Sequence, residues 1–126
     1  MSKILLVEDD KNQAVLYCQE LEAEGYEVEV AENGRVACEM VENVNPDIVV
    51  MDISMPGMDG IEAMGRMLSK HDDLPVILNT AYSSYKEDFL SWSADAYVIK
   101  SSDLTELKET IRKLLQRSEA AGDATE

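Results

Sequence analysis

Acidic side chains follow two short apolar runs of this chain, a placement that could support chemistry. The first run, Ile4–Val7, leads directly into Glu8, Asp9 and Asp10. The second run, Ile48–Met51, leads into Asp52, and turn residues follow. Unbroken apolar runs are typical of parallel strands that helices cover on both faces. Because ligands bind at the carboxyl ends of such strands, the two runs predict carboxylates from separate strands at one crevice.

Clustered carboxylates of this kind need a cation, or one of them must stay protonated. Two such charges about 4 Å apart repel each other by about 4 kcal/mol at an effective dielectric constant of about 20. Carboxylate oxygens, with a backbone carbonyl and water, suit Mg²⁺ best. Thr80 and Lys100 follow two later apolar runs and add a hydroxyl and a positive charge. Together these are the groups needed to accept a phosphoryl group.

The strands that position these residues are predicted from the apolar runs and from the turn residues between them. They cover Ile4–Val7, Glu27–Ala31, Ile48–Met51, Val76–Leu78 and Ala96–Ile99. Glu27–Ala31 alternates apolar and acidic residues, as a half-exposed edge strand does. A helical pattern follows each strand. Direct strand–helix alternation predicts an α/β fold, a three-layer sandwich around one parallel sheet.

Helical spacing of apolar residues marks the segments between the strands. In the first helix the residues at buried spacing are Leu16, Tyr17 and Leu21. A shorter helical pattern covers Tyr82–Trp92, and the last helix carries an apolar stripe from Leu104 to Leu115. Residues 118–126 form an acidic segment without a packing pattern. We therefore predict one domain over residues 1–117 and a disordered tail over residues 118–126.

The composition and net charge argue against several classes of protein. The 126 residues suffice for one domain with a single core. A net charge of −15 argues against direct binding to nucleic acid or to an anionic membrane, because both need a basic patch. The chain has neither an apolar run of about 18 residues nor a signal-peptide pattern. We therefore expect a cytoplasmic protein that makes no membrane contact.

A joint pattern of motifs lies at the ends of successive predicted strands. It consists of the acidic pair, Asp-x-x-Met-Pro-Gly-Met-Asp-Gly from Asp52, Thr-Ala from Thr80, and Tyr-x-x-Lys ending at Lys100. With this pattern the chain resembles, over Lys3–Arg117, the receiver domain of two-component response regulators. The resemblance implies a doubly wound, flavodoxin-like (βα)5 fold with its parallel strands in the order 2-1-3-4-5.

The resemblance also implies which residues hold the metal and accept the phosphoryl group. Asp52 would be the phosphoacceptor. Asp9 and Asp52 would bind Mg²⁺ directly, and Glu8 would act through water. Ser54 would contribute its backbone carbonyl to the same ion. Asp10 would be an exposed residue rather than a ligand.

Further residues would serve the phosphoryl group and a conformational switch. Thr80 would bind a phosphoryl oxygen, Lys100 would pair with it, and Tyr97 would be the rotating switch aromatic. Ser54 and Tyr82 would border the path of hydrolytic water, where a bulky tyrosine would lengthen the phosphorylated state. Taken singly, Thr80 more often satisfies backbone groups, Lys100 is more often a solvated charge, and Tyr97 more often belongs to a core. Only their coincidence at one sheet edge favours the functional interpretation.

The sequence departs from the family at two positions. Ser101 follows Lys100 where the family usually has a cis proline, and Ser93 stands where it often has glycine. A cis bond without proline costs about 3–4 kcal/mol. Either the Lys100–Ser101 loop is trans and shaped differently, or its surroundings hold a strained bond. The aim of the Lys100 side chain depends on which alternative holds.

The phosphoryl donor is predicted to be another molecule, because His71 is the only histidine and lies in a polar stretch. The resemblance implies a phosphohistidine on a sensor histidine kinase or a histidine phosphotransfer protein. Phosphorylation would pull Thr80 inward, with Tyr97 following, and reshape a face made of the fourth helix, fifth strand and last helix. That face, rich in aromatics between residues 82 and 97, would bind a downstream effector. The alternative is that some of these aromatics only pack the fourth helix onto the sheet. The resemblance also allows a phosphorylation-dependent homodimer.

Two other interpretations of the acidic site stay open. A phosphatase of the haloacid-dehalogenase type needs a second aspartate two residues after its nucleophile, where this chain has Ser54. A phosphorylation-independent interaction module would keep the fold and lose the switch. The intact Asp52 and Lys100 argue against that module, whereas Ser101 leaves it open. We predict a signalling domain rather than an enzyme, either stand-alone or part of a longer regulator, which assists its own phosphotransfer and dephosphorylation.

Overall fold

Strands and helices alternate along the chain. The computed structural model describes residues 2–52, 60–71, 73–80, 95–101 and 103–124. The elements in these ranges are β1 (Lys3–Val7), α1 (Lys11–Ala23), β2 (Glu27–Ala31), α2 (Gly34–Val44), β3 (Ile48–Met51), α3 (Gly60–Lys70), β4 (Val76–Thr80), β5 (Ala96–Ile99) and α4 (Thr105–Ala124). The predicted strands are confirmed. The helix predicted over Tyr82–Trp92 lies outside the described residues.

The sheet places β1 and β3 at its centre. Its five strands have the order β2-β1-β3-β4-β5, and all neighbouring pairs are parallel. Ile4 of β1 lies opposite both Val28 of β2 and Ile48 of β3. The predicted strand order is confirmed. Because all strands run in the same direction, their carboxyl ends meet at one edge of the sheet.

Helices cover both faces of this sheet. On one face, Ala37 of α2 and Met67 of α3 belong to the buried cluster. On the other face, Leu21 of α1 and Ile111 of α4 do so. Burying a large apolar side chain of this kind contributes about 1.5–3 kcal/mol. The predicted three-layer sandwich is thereby confirmed.

Helix α1 buries a narrower stripe than its sequence predicts. Tyr17 and Leu21 are buried as expected, whereas Leu16 is 45% exposed. Successive residues of an α-helix point about 100° apart, and α1 faces the sheet with Tyr17, so the neighbouring Leu16 points away from the core. The buried stripe instead runs through Ala14, Tyr17 and Leu21.

The loop between β1 and α1 is held by side-chain caps. Asp10 is exposed, and its Oδ1 accepts the N–H of Asn12 at 2.9 Å and that of Gln13 at 3.1 Å. Glu8 Oε2 accepts the Asp10 N–H at 3.2 Å. Such caps satisfy N–H groups that have no partner within the helix. Helix α1 therefore begins directly beside the acidic residues that follow β1.

Helix α4 extends past the predicted end of the domain. It runs to Ala124, so the tail predicted to be disordered from residue 118 is helical as far as that residue. Ala120, Ala121 and Ala124 favour this, because alanine is the best helix former and extending an existing helix is easier than starting one. The domain limit at residue 117 stays a prediction. Across the described ranges no helix combines the length and apolarity needed to span a membrane.

Candidate functional site

The carboxyl ends of β1, β3 and β5 bring the predicted site residues together. Val7 and Met51 are register partners in β1 and β3, and the Asp52 N–H donates to Val7 O at 3.1 Å. Glu8 and Asp52, the residues that follow these partners, therefore lie side by side. Lys100 follows directly after β5 and reaches both carboxylates from the far side of β4. Three separate strands thus contribute one charged side chain each.

Lys100 is the central contact of the site. Its Nζ lies 2.7 Å from Glu8 Oε1, 2.9 Å from Asp52 Oδ2 and 2.7 Å from Gln13 Oε1. The side chains of Lys100, Glu8 and Asp52 are 13%, 2% and 10% exposed. Charge-assisted hydrogen bonds of this length are the stronger kind. The site therefore holds a largely desolvated cation between two carboxylates.

The protonation states follow from burial and from this cluster of charges. Burial by itself lowers the pKa of Lys100. Hydrogen bonds to Glu8 and Asp52 and the attraction of their charges outweigh burial, so the pKa lies above its ordinary value. Burial raises the pKa of Glu8, and hydrogen bonds from Lys100 and the Asp10 N–H oppose this only in part. Lys100 is held as an ammonium, and Glu8 takes up a proton more readily than an exposed glutamate does.

The acidic residues of the site form a group that could hold a metal ion. Ligand oxygens of Glu8, Asp9 and Asp52 all lie within 4.8 Å of one another. Glu8 and Asp52 are buried, whereas Asp9 is exposed and gives access from solvent. An all-oxygen donor set open to water fits Mg²⁺, which keeps several waters when it binds protein. Ser54, the predicted backbone ligand, lies outside the described residues.

The other predicted site residues are described to different extents. Thr80 is the last residue of β4, opposite Ile99 of β5, and its side chain lies outside the description. Tyr97 is half-buried on β5 and packs against the same core cluster as Leu78, its register partner. Tyr82 lies outside the described residues. Their predicted roles therefore stay predictions.

The structure decides between a cis and a trans peptide bond after Lys100. The described residues contain no cis peptide bond, so the Lys100–Ser101 bond is trans. Ser101 Oγ accepts the Asp103 N–H at 3.1 Å, and Asp103 Oδ1 accepts the Thr105 N–H at 3.0 Å. These hydrogen bonds shape a trans loop from which Lys100 still reaches Asp52.

Gln13 is a site residue that the sequence analysis missed. Its side-chain oxygen is one of the three acceptors around the Lys100 ammonium. A signal was present, because Asp10-x-x-Gln13 has the spacing of a capping box at a helix start. That spacing places Gln13 in the first turn of α1, next to the strand ends. It says nothing about a lysine that lies far away in the sequence.

The sequence of this chain matches a known protein family. Residues 4–112 match the family model described as the response regulator receiver domain. The regulatory protein AtoC of Escherichia coli (strain K12) is 39% identical over 118 residues, which cover 92% of this chain and 26% of AtoC. Response regulator MprA of Mycobacterium avium (strain 104) is 37% identical over 124 residues, which cover 97% of this chain and 54% of MprA. This chain thus spans from about a quarter to about half of the length of these curated relatives.

Solved structures of response regulators and of a receiver domain are also similar to this chain. The response regulator TrrA from Thermotoga maritima in complex with Mg²⁺-BeF has a TM-score of 0.86 and 46% identity, covering 90% of this chain and 99% of that one. TrrA in complex with the histidine kinase ThkA has a TM-score of 0.85 and 47% identity, covering 91% of this chain and 99% of that one. A CheY-like receiver domain protein from Methanospirillum hungatei JF-1 has a TM-score of 0.90 and 31% identity, covering 96% and 98%.

Proposed function

Because this chain belongs to the receiver domain family of the response regulators of two-component systems, we propose that it is a signalling switch in which Asp52 accepts a phosphoryl group. The observation that carries the proposal is the position of Asp52. Its carboxylate is nearly buried, 2.9 Å from the Lys100 ammonium and within reach of Glu8 and Asp9. A nucleophilic carboxylate beside a fixed cation is what phosphoryl transfer requires.

In the proposed transfer, an oxygen of the Asp52 carboxylate attacks the phosphorus of a phosphohistidine. The new P–O bond forms as the P–N bond breaks, and the imidazole leaves with the electron pair of that bond. Lys100 stays protonated and pairs with a phosphoryl oxygen, while the Thr80 hydroxyl donates to another. The donor lies on another molecule. His71 follows α3, at the opposite edge of the sheet, where its Nε2 lies 3.2 Å from Glu42 Oε1.

Mg²⁺ is the proposed cofactor. Asp9 and Asp52 would bind it directly, Glu8 through water, and Ser54 through its backbone carbonyl. The grouping of three carboxylates within 4.8 Å supports this assignment, as does the solved complex of TrrA with Mg²⁺-BeF. When bound, the ion would neutralise charge on the phosphoryl oxygens.

The proposed partners are proteins. A sensor histidine kinase or a histidine phosphotransfer protein would supply the phosphoryl group, and the solved complex of TrrA with ThkA supports the first of these. A downstream effector would bind the phosphorylated form, and a homodimer could also depend on phosphorylation. With a net charge of −15, direct binding to nucleic acid or to an anionic membrane is not part of the proposal.

The proposal is tested by intact mass spectrometry after incubation with acetyl phosphate and Mg²⁺. We expect the wild type to gain one phosphoryl group and Asp52→Asn to gain none, because an amide oxygen is a far weaker nucleophile than a carboxylate. A gain in Asp52→Asn equal to that of the wild type would move the acceptor elsewhere. No gain in a folded wild type would favour the phosphorylation-independent interaction module.

Tyr97 is proposed to carry the signal from Thr80 to the face formed with β5 and α4. The half-buried Tyr97 packs against the core cluster that includes Leu78, its register partner in β4, so a shift at the end of β4 can be passed to it through this cluster. We expect Tyr97→Ala to leave Asp52 phosphorylation within about twofold of wild type. The changes that Mg²⁺-BeF₃⁻ causes in NMR amide shifts of β5 and α4 should shrink clearly. Tyr97→Phe, which keeps the ring, is the matched control. Equal shift changes in all three proteins would remove Tyr97 from the switch.

A further inference from the structure

The Lys100 ammonium has three N–H donors, and acceptors from three different elements surround it. Glu8 follows β1, Asp52 follows β3, and Gln13 lies in the first turn of α1. The distances from Nζ are 2.7, 2.9 and 2.7 Å respectively. Two acceptors are carboxylates that the proposed function assigns to Mg²⁺ as well. The third, the neutral amide oxygen of Gln13, has no part in that metal site.

The β1–α1 loop directs the Gln13 side chain to this position. In a capping box, a glutamine at this position accepts the N–H of the capping residue. Here Glu8 Oε2 accepts the Asp10 N–H instead, at 3.2 Å. Asp10 in turn holds the Gln13 N–H at 3.1 Å. The half-buried Gln13 amide oxygen is therefore turned to the Lys100 ammonium rather than to its own helix end.

Lys100 needs such an anchor because the carboxylates cannot hold it equally in every state of the site. Its flexible four-carbon stem extends from the residue after β5, and the next residue, Ser101, is exposed. A divalent ion bound directly by Asp9 and Asp52, and by Glu8 through water, would repel the ammonium and compete with it for the Glu8 and Asp52 carboxylates. A phosphoryl group on Asp52 would occupy one of that residue's oxygens. The neutral Gln13 amide oxygen is neither a metal ligand nor a phosphoryl acceptor in the proposed function, so it stays available to Lys100 in both cases.

We propose that Gln13 is a positioning residue for Lys100, and that its amide oxygen keeps the ammonium beside Asp52 when Mg²⁺ and the phosphoryl donor occupy the site. This inference rests on the proposed function and adds to it. It gives helix α1 a role in positioning the Lys100 ammonium, whose side chain extends from the end of β5. The residue acts through Lys100 and touches no reacting atom itself.

The test compares Gln13→Met with the matched control Gln19→Met. Methionine has a similar length and helix propensity but lacks a strong acceptor. Gln19 is an exposed glutamine of the same helix. At saturating Mg²⁺, we expect the rate constant for phosphorylation by acetyl phosphate to fall about three- to tenfold in Gln13→Met, the range of one hydrogen bond. It should stay at the wild-type value in Gln19→Met. The Mg²⁺ dissociation constant, measured by calorimetry, should stay within about twofold in both.

A second readout follows Lys100 itself. We expect the ¹⁵Nζ NMR signal of Lys100, identified by its loss in Lys100→Met, to be resolved in the wild type because all three protons are bonded. In Gln13→Met it should broaden through faster proton exchange, and in Gln13→Glu, which keeps an acceptor of the same length, it should return. These spectra are recorded with Mg²⁺ and without a phosphoryl donor.

The outcomes separate this inference from the proposed function. A wild-type phosphorylation rate in folded Gln13→Met would overturn the positioning role while leaving the proposed function intact. An unchanged Nζ signal in Gln13→Met would overturn it as well. Failure of the wild type to accept a phosphoryl group would overturn the proposed function. In that case the Nζ signal with Mg²⁺ bound would decide alone whether Gln13 anchors Lys100.

Discussion

Lys100→Met is expected to destabilise the folded protein by about 3 kcal/mol at pH 7 in the absence of Mg²⁺, the cost of breaking a buried ion pair from one side. The substitution removes the cation that lies between Glu8 and Asp52, whose side chains are only 2% and 10% exposed. The two carboxylates would then face each other with little water to screen them. Urea unfolding of both proteins, with and without Mg²⁺, measures the difference.

The pH and metal dependence of this loss identify its electrostatic origin. The pKa of Lys100 is raised in the folded protein. The charged Lys100 therefore stabilises the fold fully at any pH below the ordinary lysine pKa, and this stabilisation is lost only as the pH rises through the pKa of the folded protein. The contribution of Lys100 to the unfolding free energy of the wild type is therefore constant from pH 5 to 7. In Lys100→Met, Glu8, whose pKa burial already raises, would take up a proton as the pH falls. The difference in unfolding free energy should shrink towards pH 5 and on adding Mg²⁺.

Lys108→Met serves as the control for the loss of a lysine. Lys108 pairs with Glu20 at 3.0 Å, but these side chains are 25% and 45% exposed, so water replaces the partner. We expect a much smaller and Mg²⁺-independent change. Equal stability of Lys100→Met and wild type at pH 7 without Mg²⁺ would contradict the assignment of Lys100 as the ion that neutralises the site.

Ile77→Ala is expected to cost about 2–5 kcal/mol, because it opens a cavity in a core that cannot fully collapse. Ile77 is completely buried in β4, with Val50 of β3 and Ala96 of β5 as its register partners. β4 separates the strand that ends before Asp52 from the strand that ends before Lys100. Its packing therefore sets the spacing of the two charges as well as the stability of the domain. Chemical unfolding gives the free-energy difference.

Leu16→Ala is the matched control for Ile77→Ala. Leu16 is 45% exposed on α1, so removing its side chain should change the unfolding free energy by no more than about 0.5 kcal/mol. Below the onset of unfolding, we expect Ile77→Ala to accept a phosphoryl group more slowly than wild type. A cost below about 1 kcal/mol for Ile77→Ala would show that the two faces of the sheet repack freely around β4.

The fold could be predicted from the sequence because its signals are local. Unbroken runs such as Ile48–Met51 indicate strands covered on both faces, and each is followed by a helical stripe within a few residues. The error at Leu16 came from the same local reasoning. Periodicity shows which residues of a helix share a face, but the line along which α1 meets the sheet depends on the residues of other elements.

The acidic part of the site could also be predicted, because chain direction determines it. Parallel strands deliver Glu8, Asp52 and Lys100 to one edge whatever the details of their packing. The motif pattern then identified Asp52 as the candidate acceptor. The end of helix α4, in contrast, could not be predicted, because no packing pattern after residue 117 indicated the extension to Ala124.

The sequence by itself thus determined the element order, the strand order through the family resemblance, and the edge at which the charged residues gather. Only the tertiary structure decided how those residues meet. The contact between Gln13 and Lys100 joins residues 87 positions apart at 2.7 Å. A distance of this kind depends on how α1 packs on the sheet and how a trans loop follows β5. Local patterns report neighbours along one strand or helix, whereas contacts between elements come from the packing of the whole core.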